Sequence, residues 1–173
     1  MNILIRLCEP NEIQILRDLA CKTYDESFRA LNTPETMDAY LQEAFDLEKV
    51  RAELANPHSW FYFLFTDDML AGYIKINQTP AQTDINDEQS LELERIYVKR
   101  AFKRRGFGKL LIEHAEKIAK SMGKQYVWLG VWEKNSAAIV FYKEMGYEVF
   151  DRHTFRMGEE LQSDLVMKKI LKP

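Results

Sequence analysis

This chain has little of the chemistry most easily read from a sequence. Its two cysteines, Cys8 and Cys21, have no metal-ligand spacing and are too few for a disulfide framework in 173 residues. A reduced, cytoplasmic setting is therefore expected, and both thiols read as small core or surface residues. The three histidines, His58, His114 and His153, form neither a metal set nor a nucleophilic triad. Glycine (7) and proline (5) are sparse, and no linker, repeat or low-complexity tract interrupts the chain. No apolar run approaches the ~20 residues of a membrane span. The opening MNILIRLCEPNE lacks the charged and apolar regions of a secretory signal.

What is present is ordinary in amount. The content of 46% apolar and 29% charged residues is that of a soluble globular chain, long enough for one domain over residues 1–173 with a sizeable core. The net charge of −3 conceals an asymmetry. Residues 1–98 carry 8 Lys and Arg against 18 Asp and Glu, whereas residues 99–173 carry 16 against 9. Such a split reads either as two kinds of ligand or as two differently charged solvated surfaces.

Periodicity and punctuation predict the elements. Ile3 to Leu7 reads as a strand. Glu9-Pro10 opens a helix bearing Ile13, Leu16, Leu19, Ala20 and Tyr24 at helical spacing. Thr33-Pro34 caps and starts a second helix, with Met37, Tyr40, Leu41 and Phe45 on one face. A third, short helix is expected from Asp46 to Leu54. Trp60 to Phe65 and Leu70 to Ile76 form a hairpin about Asp67-Asp68. After a polar loop from Thr79 to Gln89 come a strand to Val98, a helix from Gly106 to Met122 and a strand from Lys124 to Val131. A helix from Asn135 to Met145 follows, then strands from Tyr147 to His153 and Ser163 to Ile170. The order β-α-α-β-β-β-α-β-α-β-β, with the extra short helix, predicts a mixed α/β fold with helices on both sides of a sheet.

The most informative stretch is Leu91 to Leu111, LELERIYVKRAFKRRGFGKLL. A strand ends in a basic turn with Gly106 and Gly108, and an apolar-periodic helix begins at once. Such a turn aims unpaired backbone N–H groups and a helix N-terminus at one point. Lys99, Arg100, Lys103, Arg104, Arg105 and Lys109 surround it with positive charge, so a phosphate-bearing ligand is the natural reading. It is not a P-loop, because Gly108-Lys109-Leu110 lacks the upstream glycine spacing and the hydroxyl residue. Nor is it a dinucleotide fingerprint, since the third glycine position is Leu111. Taken alone, the glycine pair reads equally well as a strand-to-helix turn that needs a positive φ.

Lys103-Arg104-Arg105-Gly106-Phe107-Gly108 resembles the (Arg/Gln)-x-x-Gly-x-(Gly/Ala) motif of the GCN5-related N-acetyltransferases, with lysine at the first position. Asn135 to Tyr147, NSAAIVFYKEMGY, resembles the same family's N-x-x-A-x-x-F-Y-x-x-x-G-F/Y signature at every defined position. The two motifs lie in the family's order with a strand between them. Three further stretches resemble the bacterial spermidine/spermine N-acetyltransferases of the PaiA type: Tyr24 to Phe28 with Met37 to Leu41, Trp128 to Asn135, and Met157-Gly158 through Ser163 to Met167.

The resemblance implies the acyl-CoA N-acyltransferase fold, a mostly antiparallel twisted sheet with helices on both faces, and the use of acetyl-coenzyme A. It places the pyrophosphate on Lys103, Arg104, Arg105, Gly106, Phe107, Gly108 and Lys109, and the pantetheine arm along Ile96, Tyr97 and Val98, with Asn135 and Tyr142 also at the coenzyme. Tyr142 becomes the general acid for the leaving thiolate, where the residue alone reads as a core aromatic. Asn135 has an equally good role as a helix cap. Glu94 becomes the base, acting through water. Strand alternation puts it on one face with Glu92, Ile96 and Val98, although a glutamate beside Arg95 reads as well as a paired surface charge.

The acceptor implied is a small polycationic amine, a polyamine such as spermidine or spermine. Carboxylates among Asp25, Glu26, Glu92, Glu94 and Glu133 would hold its charges. Tyr24, Phe28, Trp128 and Trp132, each otherwise a core aromatic, would form the walls. A protein N-terminus, a lysine or another small amine is the alternative acceptor, and a coenzyme-A-responsive regulatory protein the alternative to an enzyme. No nucleic-acid or membrane partner is expected, the chain being acidic overall and its aromatics not interleaved with its basic cluster. The family admits a homodimer, but no interface is legible.

Overall fold

The computed structural model describes residues 1–157 and 160–173; Gly158, part of one stretch quoted above, lies outside them. The strands are β1 (Ile3–Leu7), β2 (Ser59–Thr66), β3 (Met69–Asn77), β4 (Ser90–Val98), β5 (Tyr126–Trp132), β6 (Glu148–Met157) and β7 (Glu160–Ile170). The helices are α1 (Ile13–Phe28), α2 (Pro34–Ala44), α3 (Leu47–Ala55), α4 (Phe107–Ser121) and α5 (Ser136–Glu144). The strands form one sheet in the order β1-β2-β3-β4-β5-β7-β6. Every pairing is antiparallel except β4 with β5. The expected mixed sheet is thus observed, and the final hairpin runs longer than the apolar pattern suggested. No helix among the described residues is long and apolar enough to cross a membrane.

Local chemistry accounts for the ends of the elements. Thr33 accepts a hydrogen bond from the Thr36 N–H at 3.2 Å, and Pro34 supplies the first helical residue of α2. Asp46 caps α3 at the Lys49 N–H, 3.3 Å away. Asp67 and Asp68 both take positive φ (47° and 65°), as a tight turn between right-twisted strands requires.

Both faces of the sheet are covered, so its central strands carry large apolar side chains in both directions. On one face α4 and α5 pack over Ile74, Ile76, Leu93, Val127, Leu129 and Met167, with Leu111, Ile112 and Ala115 of α4 fully buried. On the other, α1, α2 and α3 cover Phe61, Phe63 and Tyr73 with Leu16, Leu19, Phe45 and Val50.

Two departures from regular pairing shape everything that follows. The first is a bulge in β4: Lys75 of β3 pairs with Arg95 and Ile76 with Leu93, which leaves Glu94 as the extra residue. The expectation that Glu92, Glu94, Ile96 and Val98 share a face is therefore corrected. Glu92, Glu94 and Arg95 all turn toward the α1–α3 side, while Leu93, Ile96 and Val98 pack on the α4 side. The second is that β4 and β5 pair only from Ser90–Tyr126 to Glu92–Trp128 and then diverge.

The bulge is braced by buried charge. Lys75 Nζ lies 2.6 Å from Glu53 Oε2 and 2.9 Å from Glu94 Oε1. Arg95 reaches Glu53 Oε2 at 2.9 Å and Glu94 Oε2 at 3.1 Å. Lys75 is only 6% exposed, so removing its charge leaves two carboxylates to one arginine in a poorly solvated place. Lys75→Met is expected to lower the unfolding free energy by on the order of 3 kcal/mol, measured by urea denaturation.

Candidate active site

The divergence of β4 from β5 opens a cleft of about 770 Å³. Among the described residues, no strand lies beside the edge of β4 that faces β5 from Leu93 onward, so its main-chain groups are open to a ligand. One wall carries Glu94, Ile96, Tyr97 and Val98, and the other Gly130, Val131 and Trp132. The start of α4 closes one end with Lys103, Arg104, Gly106, Phe107, Gly108 and Lys109, and α5 contributes Asn135, Ala138, Phe141 and Tyr142. Glu26 and Phe28 reach the cleft from the end of α1.

The α4 end is built for an anion. Gly106 occupies the cap position at φ 81° and offers no side-chain acceptor to the first turn of the helix. The first intrahelical bond recorded there runs from the Leu110 N–H to the Gly106 carbonyl at 3.2 Å. The N–H groups of Phe107, Gly108 and Lys109 precede it and have no carbonyl within the helix to reach. Arg104 also takes a positive φ, 65°. Gly108 serves another purpose. A Cβ there would come 3.2 Å from Cζ of Phe141, so a glycine lets the first turn of α4 sit directly against α5. The two sequence motifs thus touch.

Tyr142 lines the cleft from α5, near Phe141 and Tyr147. Burial pushes its phenol above the ordinary tyrosine range, so it stays protonated at neutral pH. No side-chain hydrogen bond engages it among the described residues. Asn135 caps α5, accepting from the Ala138 N–H at 3.3 Å, and also lines the cleft.

Glu94 is held on every side. Beyond its ion pairs it accepts from Asn77 Nδ2 at 2.9 Å. Burial by itself would raise its pKa, but the charges of Arg95 and Lys75 and the bonds from Lys75 and Asn77 outweigh it and leave the net shift downward.

Other residues singled out from the sequence lie elsewhere. Arg105 stacks over Phe102, 5.5 Å from its ring centre, outside the lining. Glu92 is 2% exposed and holds the loop before β4, accepting from the Thr83 N–H at 2.8 Å, from the Thr83 hydroxyl and from Asn77. Trp128 is buried and donates to Gln82 at 3.1 Å. Glu133 pairs with Arg152 at 2.8 Å, and Asp25 pairs with Arg29. Tyr24 stacks on Tyr40 behind Phe28. Glu26 does line the cleft, and it also accepts from the Arg100 N–H at 3.1 Å, tying α1 to the turn before α4. Gly130, Phe102 and Phe141 also line the cleft; Phe141 is part of the second motif, whereas Gly130 carries no local signal because only the divergence of β4 from β5 brings it there.

Comparison with known proteins agrees with this geometry. The acetyltransferase (GNAT) family profile matches residues 20–147. An uncharacterized N-acetyltransferase of Lactobacillus delbrueckii subsp. lactis is 40% identical over 162 residues, covering 94% of this chain and 91% of the relative. Spermidine N(1)-acetyltransferase of Thermoplasma acidophilum is 26% identical over 173 residues, covering 98% of both chains. The crystal structure of the PaiA N-acetyltransferase of T. acidophilum in complex with coenzyme A superimposes with a TM-score of 0.80 at 26% identity, over 99% of this chain and 100% of that one. With a splayed parallel strand pair, a free helix N-terminus at one end of the cleft and a protonated tyrosine beside it, this chain belongs to the GNAT acetyltransferase family.

Proposed function

We propose that this acetyl-CoA-dependent N-acetyltransferase acts on a flexible polycationic amine of the spermidine class, by direct attack of the neutral amine on the thioester. The observation that carries the reading is the composition of the cleft on the α1–α3 side, where the carboxylates of Glu26 and Glu94 stand with the aromatic rings of Phe28 and Trp132. Carboxylates complement ammonium groups, and aromatic walls complement methylene spacers and cations. The full-length likeness to a spermidine N(1)-acetyltransferase supports the same acceptor.

Acetyl-coenzyme A supplies an acetyl group already activated as a thioester. The residues at the α4 end fit its phosphates: unpaired N–H groups of Phe107, Gly108 and Lys109, with cationic Lys103, Arg104 and Lys109 at the rim. In this reading main-chain N–H groups on the edge of β4 around Ile96 to Val98, beyond its pairing with β5, stabilise negative charge on the thioester oxygen. Tyr142 holds the proton that the departing sulfur needs. Glu94 stays ionised across the neutral range and orders the water that accepts the amine proton; its ion pairs fit it for this better than for direct abstraction.

Tyr142→Phe is expected to lower kcat by roughly ten- to a thousandfold, the range of one lost acid–base contact; an unchanged kcat, with chemistry rate-limiting, removes Tyr142 from the mechanism. The pH profile has a definite sign. The amine must be neutral to attack, so kcat/KM rises with pH toward the acceptor's own pKa. Tyr142, raised above the usual ~10, imposes no alkaline fall below that value. A descending limb centred between pH 7 and 9 would contradict this assignment of the acid. The acceptor is tested by coenzyme A release with spermidine, spermine, putrescine and lysine peptides. The polyamines are expected to exceed the peptides by at least about tenfold in kcat/KM, or about 1.4 kcal/mol; equal or faster turnover of peptides overturns the polyamine assignment.

A further inference from the structure

On the acceptor side of the cleft, carboxylate after carboxylate is already committed to the protein. Glu94 is paired with Lys75 and Arg95, Glu92 holds Thr83 and Asn77, and Glu133 meets Arg152. Asp84 and Asp151 share His153. Asp164 is the exception. It is half-buried on β7; among the described residues no hydrogen bond or ion pair engages it, and the charge of His153, itself held by Asp84 and Asp151, acts on its carboxyl from across the strand pair.

Its position is specific. In the sheet it stands directly opposite Trp132 of β5 on one side and His153 of β6 on the other, so it shares their face, the α1–α3 face. Trp132 lines the cleft, as does Gly130 two residues before it. A Cβ on Gly130 would lie 4.0 Å from Asp164 Oδ2. Because Gly130 carries no side chain, nothing from that position screens the carboxylate from the cleft. Across the gap, the charge of Asp164 contributes to raising the pKa of Tyr24, after burial and Tyr40. Tyr24 in turn stacks on Tyr40 with ring centres 4.6 Å apart and meets Phe28, at the cleft wall, at 4.5 Å. Phe28 and Trp132 therefore line the opening, and the Asp164 carboxylate lies next to Gly130 on the same wall. A half-buried carboxylate without a hydrogen bond is costly to a fold. Among the described residues no cap, turn or ion pair holds this one, and a cationic ligand would supply the missing contact.

We propose that Asp164 is a specificity-determining residue that receives a second ammonium group of the acceptor while its reacting amine lies at the β4–β5 opening. This rests on the polyamine reading and deepens it, by naming the side chain that makes a second positive charge on the acceptor count.

The test compares spermidine with n-butylamine, which has an aliphatic chain and one amine but no second charge. The wild-type enzyme is expected to favour spermidine in kcat/KM, and Asp164→Asn is expected to cut that preference by about 10- to 100-fold, the value of one charge-assisted contact. Coenzyme A affinity, measured by titration, reports that the variant is folded. Asp164→Glu keeps the charge and is expected to retain most of the preference. If it loses as much as the asparagine variant, charge is not what the position supplies and the proposal falls. A wild type that prefers spermidine, with an asparagine variant that prefers it equally, overturns the role of Asp164 and leaves the polyamine reading intact. A wild type indifferent to the second charge overturns both.

Discussion

The structure turns on the brevity of one strand pairing. β4 and β5 are parallel and hydrogen-bonded over only three residue pairs, after which they separate. Parallel neighbours need a crossover between them, and here α4 provides it, packed on the sheet beneath the separation. The same geometry delivers three things. It opens the cleft, frees one edge of β4 for main-chain contacts, and directs the uncapped start of α4 at the open end. Closing the sheet with a longer β4–β5 ladder would satisfy more backbone groups and abolish the site.

The cost of that separation is met differently on the two faces. Under α4 and α5 the sheet rests on a dry core of Ile, Leu, Val and Met. On the α1–α3 side the bulge at Glu94 is held by Lys75, Arg95 and Glu53, a buried ion cluster that ties α3 to the two central strands. Such a cluster is a poor source of net stability, but it defines where Glu94 points. It also sets what Glu94 can do: a carboxylate held by two cations is a reliable negative charge and a reluctant proton acceptor.

The coenzyme end and the acceptor end draw on different parts of the chain. The first is nearly local, made of the turn from Lys103 to Lys109 and the start of α5, with Gly108 and Phe141 in contact. The second, the end proposed for the acceptor, assembles the end of α1, the bulge of β4 and the outer part of β5. The basic half of the chain holds the turn from Lys103 to Lys109, whereas the other end draws on both halves, with Glu26 and Glu94 from the acidic one and Trp132 from the basic one.

By itself the sequence determined the order and type of the elements, the glycine turn that opens α4 and the family. Hydrophobic period, caps and glycine spacing are local signals, and Asn135, Gly106 and Gly108 lie where those signals put them. Only the tertiary structure decided the rest. The bulge that sends Glu94 and Arg95 to one face depends on the pairing of β3 with β4, and alternation along β4 alone predicted another face. Glu92, Glu133 and Trp128 looked like acceptor contacts because a strand sequence does not show that Thr83, Arg152 and Gln82 will take them up. Asp164 went unmarked for the converse reason. Among the described residues no hydrogen bond or ion pair holds its carboxylate, and that depends on everything folded around it, which no stretch of neighbouring residues can encode.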